Sequence, residues 1–106
     1  MLLGDPTRSV SARIDNGGSA SIIRQDGNWI SGVVRSAAGV VAITINSGVF
    51  LATPNSVGTA CPSTTPGSRN LEFHSTQSTT SLTSLTANAT GTHSDYDFLI
   101  NSVGRK

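Results

Sequence analysis

The sequence holds few side chains that can do chemistry, and the most suggestive group lies near its end. The segment HSDYD places His93, Asp95 and Asp97 at every second position. Side chains two residues apart lie on one face of a strand, where they can hold a metal ion with water. An extended chain spaces them about 6.5–7 Å apart, too far for three to contact one ion directly. We therefore expect no metal site, and we predict solvated polar side chains opposite a buried Tyr96.

A second pair of chemically capable residues, Glu72 and His74, alternates along a strand-like run. Hydrolysis needs paired carboxylates, or a nucleophile with a base and an orienting group. Because the chain has sixteen serines, the presence of Ser, His and Asp together does not indicate a catalytic triad. The sequence contains neither a G-x-S-x-G elbow nor a glycine-rich phosphate loop. We predict that the chain is not an enzyme. The catalytic alternative is a glycan-processing site shared between subunits, with Glu72, Asp95 and Asp97 as its carboxylates.

The single cysteine, Cys61, stands next to Pro62 at the end of a strand-like run. Without a second thiol it can form neither an internal disulfide nor a cysteine-rich zinc site. The favoured interpretation is a small apolar residue, and a nucleophile or an interchain disulfide is the alternative. No cofactor is expected.

Two aromatic residues with a polar group, Trp29 and Tyr96, can each form a platform for a sugar ring. Trp29 lies among aliphatic residues, so burial is favoured there over ligand binding. The polar residues expected to contact such a sugar lie near the turns and are Thr64, Thr65 and Arg69. The candidate ligand-binding residues are therefore Trp29, Thr64, Thr65, Arg69 and Tyr96.

The composition predicts a neutral surface rich in hydroxyl groups. Serine and threonine supply 29 of 106 residues, charged residues only 12%, and the net charge is +1. Threonine suits a pleated strand through its β-branch. The scattered basic residues provide no footprint for nucleic acid. No apolar run approaches the roughly 20 residues of a membrane helix, so we expect neither nucleic acid nor membrane insertion.

The elements that position these residues are strands, because apolar and polar residues alternate between turn signals. Residues 46–48 predict a turn, followed by a second strand that opens at Phe50. Good helix-forming segments are missing, so almost no helix is expected. We predict an all-β antiparallel sandwich of jelly-roll-like form over residues 10–106, after a lead-in segment, 1–9. The predicted strands lie near residues 10–15, 20–24, 28–36, 40–46, 55–61, 69–75, 79–87 and 95–104.

The core of one such chain is expected to be thin, because several strands carry few large apolar residues. A sheet whose second face is covered by a symmetry mate is the simplest remedy, and it predicts a homotrimer. The residues expected in the core or at that interface are Val33, Val41, Ile43, Ile45 and Ile100.

Two motifs in the second half of the chain follow a Trp-containing strand. Residues 48–54 read G-x-F-x-x-x-P and residues 95–104 read D-x-D-F-x-I-x-x-x-G, with a strand ending near a cysteine between them. Over roughly residues 28–106 this arrangement resembles the C-terminal module of bacteriophage tail fibres and tailspikes. The sequence departs from it at residues 50–52, which are less polar than usual, and at its own loop, 62–68. The matching positions are Trp29, Gly39, Thr44, Gly48, Phe50, Pro54, Cys61, Asp95, Asp97, Phe98, Ile100 and Gly104.

The resemblance implies a homotrimeric β-sandwich at the distal end of a fibre, made in the host cytoplasm and carried on the virion. In that family such a module binds host-surface polysaccharide or locks the trimer together. The leading hypothesis is therefore carbohydrate binding, and the alternative is a purely structural trimerisation clamp. A chain this short looks like the end of a longer fibre or spike chain. Specificity in such modules usually lies in loops, so the resemblance transfers no binding site.

Overall fold

The alternation that begins at Val10 builds the first of eight strands. The computed structural model describes residues 6–61, 69–74 and 77–106. Strand β1 starts at Thr7, so the last residues of the predicted lead-in segment belong to it. No helix occurs in the described ranges, as predicted. The strands are β1 (Thr7–Asn16), β2 (Ala20–Gln25), β3 (Ile30–Ala37), β4 (Val40–Ile45), β5 (Asn55–Ala60), β6 (Arg69–Phe73), β7 (Ser81–Asn88) and β8 (Phe98–Arg105).

The strands form two four-stranded sheets that pack face to face, which confirms the predicted β-sandwich. One sheet has the order β2-β1-β8-β5 and the other β3-β4-β7-β6. Every neighbouring pair is antiparallel. The hairpins β1–β2, β3–β4 and β6–β7 each stay within a sheet, while the other connections cross between sheets. The connections therefore gather at the ends of the sandwich, where loop side chains from both sheets can meet.

The core lies between the sheets and is filled by every second residue of the central strands. Four of the five residues expected in the core or at an interface, Val41, Ile43, Ile45 and Ile100, are at most 2% exposed. Val33 is partly buried against the same cluster. Each buried aliphatic side chain contributes on the order of 1.5–3 kcal/mol. These residues thus form the core of one chain, and any interface must use others.

The predicted strand opening at Phe50 is wrong. Phe50 lies in irregular chain between β4 and β5, and these two strands belong to different sheets. Its side chain is 3% exposed and packs against the backbone of Gly104, while the N–H of Leu51 donates to the carbonyl of Arg105 at 2.8 Å. An apolar residue after a turn resembles the start of a strand, but here it closes one end of the sandwich. In the described part of the chain, no helix is long and apolar enough to cross a membrane.

The turn between β3 and β4 depends on Gly39, which has a φ of 71°. A Cβ atom there would lie 2.5 Å from the carbonyl oxygen of Thr86 and 2.8 Å from the backbone of Ser94. The Gly39 carbonyl also accepts the N–H of Thr86 at 2.8 Å. Only glycine allows this approach, and it brings the β3–β4 turn against the segment before β8.

Candidate functional site

The segment before β8 is irregular, which corrects the predicted ladder of residues 93, 95 and 97. Strand β8 begins only at Phe98, and His93 forms an isolated bridge with Ala87. Asp95 and Asp97 are not simply solvated, because both accept hydrogen bonds from partly buried groups. Tyr96 lines the same cleft as these two carboxylates instead of being buried opposite them. The chain leaves the extended form here because Thr86 binds Ser94 through its backbone and its hydroxyl.

The carboxylate of Asp95 is held by three donors. Arg35 Nε donates to both carboxylate oxygens, at 3.0 and 3.1 Å. The N–H of Gly39 donates to Oδ1 at 2.7 Å, and Asn16 Nδ2 donates to the same oxygen at 3.4 Å. Hydrogen bonding to Arg35, then to Gly39, holds the pKa of Asp95 below its usual value. Asp95 is therefore a fixed anion that joins the ends of β1 and β3.

Asn16, the last residue of β1, is a buried polar residue at 1% exposure. Its backbone N–H donates to Asp97 Oδ1 at 2.8 Å. Its side-chain amide donates to Asp95, while its Oδ1 atom has no hydrogen-bond partner among the described residues. Asn16 thus positions two carboxylates and keeps one buried acceptor unused.

Asp15 and Asp97 form a pair of carboxyl groups whose pKa values move apart. The hydrogen bond and the repulsion from Asp97 raise the pKa of Asp15. The Asn16 N–H is the main cause that lowers the pKa of Asp97, and Arg13 and Arg69 lower it further. When a proton is shared, Asp15 is therefore the carboxyl that carries it and Asp97 is the anion.

Tyr96 and Arg69 meet although they are far apart in the sequence. The Arg69 guanidinium carbon lies 4.0 Å from the centre of the Tyr96 ring, an arrangement that attracts a cation to the ring face. Around them is a cleft of about 450 Å³, which we call the Tyr96 cleft. Its lining is mainly polar and comes from the end of β1, the start of β6 and the segment before β8: Arg13, Asp15, Asn16, Gly17, Cys61, Arg69, Asp95, Tyr96 and Asp97.

The structure brings two of the five candidate ligand-binding residues together, Arg69 and Tyr96. Thr64 and Thr65 lie outside the described residues. Trp29 is 2% exposed, and its indole N–H donates to the Ser11 carbonyl at 3.0 Å. Its ring is consequently unavailable as a platform for a sugar, and burial, the favoured interpretation, is what the structure shows.

The remaining chemically capable residues stand apart from one another. Glu72 is exposed on β6, away from the lining of the Tyr96 cleft. Cys61 is a buried free thiol whose N–H donates to the Asp97 carbonyl at 2.8 Å. In the ranges that the structure describes, no group of three or more His, Cys, Asp or Glu residues can hold a metal ion.

Sequence reasoning missed Asn16, although a signal was present. Val10, Ala12 and Ile14 alternate inward along β1, and Asn16 occupies the next inward position. An asparagine on an apolar face is a buried polar residue, and buried polar residues are the informative exceptions. Arg13 and Asp15 also line the cleft. They are the last two residues on the outward face of the same strand. Arg35 gave no such signal, since its contact with Asp95 spans 60 residues.

A second cleft, of about 470 Å³, lies on the outer face of the sheet that contains β1. It is more apolar, and Val57 and Leu99 are among its lining residues. Val57 is 66% exposed, Val103 on the neighbouring strand is 41% exposed, and Ile23 on β2 is 53% exposed. We call Val57 and Val103, on the adjacent strands β5 and β8, the outer apolar patch; Ile23 lies at the opposite edge of the sheet. The lining of this cleft also includes Arg24 and Asp26, and the Asp26 carboxylate accepts the Ser11 hydroxyl at 2.6 Å.

Comparison with known proteins assigns the chain to no family. No protein-family model, curated protein or solved structure matches the chain.

Proposed function

We propose that the chain is a carbohydrate-binding module that acts as a homotrimer at the end of a bacteriophage tail fibre or tailspike. Its ligand is host-cell-surface polysaccharide, bound in the Tyr96 cleft. The observation that carries this proposal is the convergence of Tyr96, Arg69, Asn16 and Asp97 in one polar cleft. The resemblance of residues 28–106 to fibre and spike modules supplies the biological setting, including location on the virion.

The chemistry of the cleft suits sugars. A sugar hydroxyl both donates and accepts hydrogen bonds, so it needs acceptors and donors side by side. Asp97 and Asn16 offer acceptors, and Arg13 and Arg69 offer donors. The half-exposed ring of Tyr96 adds an apolar surface against which a sugar ring can pack. A few convergent polar groups beside an aromatic residue are typical of small-ligand sites.

The homotrimer is supported by the outer apolar patch. Val57 and Val103 lie on the outward face of the adjacent strands β5 and β8. Burying apolar surface of this kind drives association. We expect a solution mass near three times 10.9 kDa. Val57→Glu should lower that mass, whereas Val34→Glu should not, because Val34 is equally exposed (65% against 66%) but lies on the other sheet.

A binding screen tests the proposed function. The 106-residue chain is applied to an array of bacterial capsular and outer-membrane polysaccharides, beside Tyr96→Ala and the matched control Thr44→Ala. Thr44 is exposed on β4 and is not among the residues that line the cleft. We expect at least one polysaccharide to bind the wild type and Thr44→Ala but not Tyr96→Ala. If the wild-type trimer binds no polysaccharide, the proposal fails.

The second candidate is a structural clamp that registers three chains and binds no ligand. It is favoured by the outer apolar patch alone, which serves association whatever the cleft does. Removing the module from a longer parent chain should then lower trimer yield and thermal stability. Unchanged yield and stability would reject this candidate, and only the polysaccharide screen separates it from the first.

The proposal treats the module as non-catalytic. Asp95 is engaged by Arg35 and Gly39, and Asp97 accepts the backbone N–H of Asn16. Incubation with host capsule should therefore release no reducing ends, and their release would revive the shared-site alternative.

A further inference from the structure

The unused acceptor in the Tyr96 cleft is Oδ1 of Asn16. Asn16 is 1% exposed, and no group in the described residues donates to this oxygen. Buried amide oxygens are nearly always paired, since leaving one without a donor is unfavourable. Asn16 also lines the cleft. A donor for this oxygen must therefore come from beyond the described residues, and a ligand in the Tyr96 cleft, which Asn16 lines, can supply one.

The orientation of this amide is fixed by its neighbours. Asn16 Nδ2 donates to Asp95 Oδ1, which Arg35 and Gly39 hold in place. Turning the amide over would bring its oxygen against that carboxylate, which is repulsive. The acceptor thus keeps its direction in the free protein, and a ligand need not reorganise it.

The charges of the cleft do not favour a charged donor. Arg13 and Arg69 oppose Asp15 and Asp97, while the third carboxylate of the lining, Asp95, is neutralised by Arg35. These six formal charges cancel. Because these charges sum to zero, the cleft gives neither an ammonium group nor a carboxylate a net attraction that a neutral hydroxyl group lacks.

We propose that the Tyr96 cleft binds a neutral sugar through two vicinal hydroxyl groups, one donating to Asn16 Oδ1 and its neighbour to the Asp97 carboxylate. This inference rests on the proposed function and specifies its ligand. The Asn16 N–H holds Asp97 at 2.8 Å, so the two acceptors belong to one rigid unit. Hydroxyl groups on neighbouring carbons of a pyranose ring are the pair that we expect two acceptors on one rigid unit to bind together. Two fixed acceptors distinguish a sugar that carries both hydroxyl groups from one that lacks either of them. The reason is that an acceptor stays unpaired when its hydroxyl is missing from the ligand.

The first experiment follows the Asn16 side-chain amide in ¹⁵N-labelled 106-residue protein. The probes are the methyl α-glycosides of mannose, galactose and glucose, with glucosamine and N-acetylneuraminic acid as charged counterparts. We expect at least one neutral glycoside to shift the resonances of Asn16 and Asp97. It should bind more tightly than either charged sugar, and Tyr96→Ala should abolish the shift.

The second experiment changes the ligand, because substituting Asn16 would also remove the hydrogen bond from its side-chain amide to Asp95. Each hydroxyl of the glycoside that binds is replaced in turn by hydrogen or by fluorine, which cannot donate. We expect two adjacent replacements, and no others, each to weaken binding at least tenfold. Fluorine should restore neither loss.

Two results would overturn the inference without touching the proposed function. One is a glycoside that needs Tyr96 but tolerates every hydroxyl replacement. The other is a charged sugar that binds the cleft more tightly than all neutral ones. If no carbohydrate binds, the inference and the proposed function fail together.

Discussion

The carboxylate of Asp95 accepts hydrogen bonds from Nε of Arg35, which lies 60 residues earlier in the chain, at 3.0 and 3.1 Å. This ion pair fastens the segment before β8 to strand β3 in the other sheet. The side chains are 30% and 23% exposed, so the pair is partly shielded from water. The Tyr96 cleft depends on it, because the neighbouring residues Tyr96 and Asp97 are placed by the same segment.

We expect Asp95→Asn to destabilise the protein by about 1–3 kcal/mol, because it removes the negative charge that pairs with Arg35 and replaces one of two acceptor oxygens by a donor. The matched control is Asp26→Asn. Asp26 is exposed and accepts a hydrogen bond from the Ser11 hydroxyl, so its change should stay within about 0.5 kcal/mol. Urea unfolding followed by Trp29 emission measures both. If both substitutions lower the free energy of unfolding equally, the hydrogen bonds of Asp95 do not contribute more to stability than that of Asp26.

Gly39→Ala should cost more than Gly91→Ala, although both glycines have positive φ angles of 71° and 83°. A Cβ at Gly91 meets open space, whereas one at Gly39 would strike the backbone of Thr86 and Ser94. Backbone strain alone is worth roughly 1 kcal/mol, so the Gly91 variant measures that part. We expect the Gly39 variant to lose at least about 1 kcal/mol more, by urea unfolding. A loss no greater than that of Gly91→Ala would contradict the close approach.

The pH dependence of stability should differ in sign between Asp15 and Asp95. The pKa of Asp95 is lowered in the fold, so its contribution is present above the unfolded pKa and is lost as pH falls through the folded pKa. The pKa of Asp15 is raised by Asp97, so its ionisation opposes folding as pH rises through the folded value. Asp15→Asn should therefore raise the unfolding midpoint at neutral pH and lose that advantage at low pH. A lower midpoint at neutral pH would refute the carboxyl pair.

Trp29 provides an independent check of where a ligand binds. The sole tryptophan is 2% exposed, so its emission should shift to longer wavelength only on unfolding. A sugar in the Tyr96 cleft should leave the emission maximum in place, since Trp29 is absent from the described lining. Fluorescence during a polysaccharide titration measures this. A large shift in the folded protein would move the binding site towards Trp29.

The sheets could be predicted because local alternation carries the information. The alternation of Val10, Ala12 and Ile14 predicts β1 without information about the strands that pair with it. The segment 94–97 could not be predicted, because its shape is set by hydrogen bonds to Thr86 and its anchoring by Arg35. Local alternation there still reads as a strand.

The candidate site was likewise predictable only where the information is local. Tyr96 and Arg69 were found from side-chain type alone, since an aromatic residue and a cation suit a ligand wherever they lie. Their contact is long-range and has no local signature. The role of Asn16 required two facts together, an inward position in β1 and a carboxylate arriving from the other end of the chain.

Isothermal titration calorimetry of one polysaccharide with the wild type, Tyr96→Ala and Thr44→Ala tests carbohydrate binding by the Tyr96 cleft most directly. Removing the ring should weaken binding at least about tenfold, or roughly 1.4 kcal/mol, while the mass in solution stays that of the wild type. Thr44→Ala should bind as the wild type does. Equal affinity of all three proteins for a polysaccharide that binds the wild type would contradict the account.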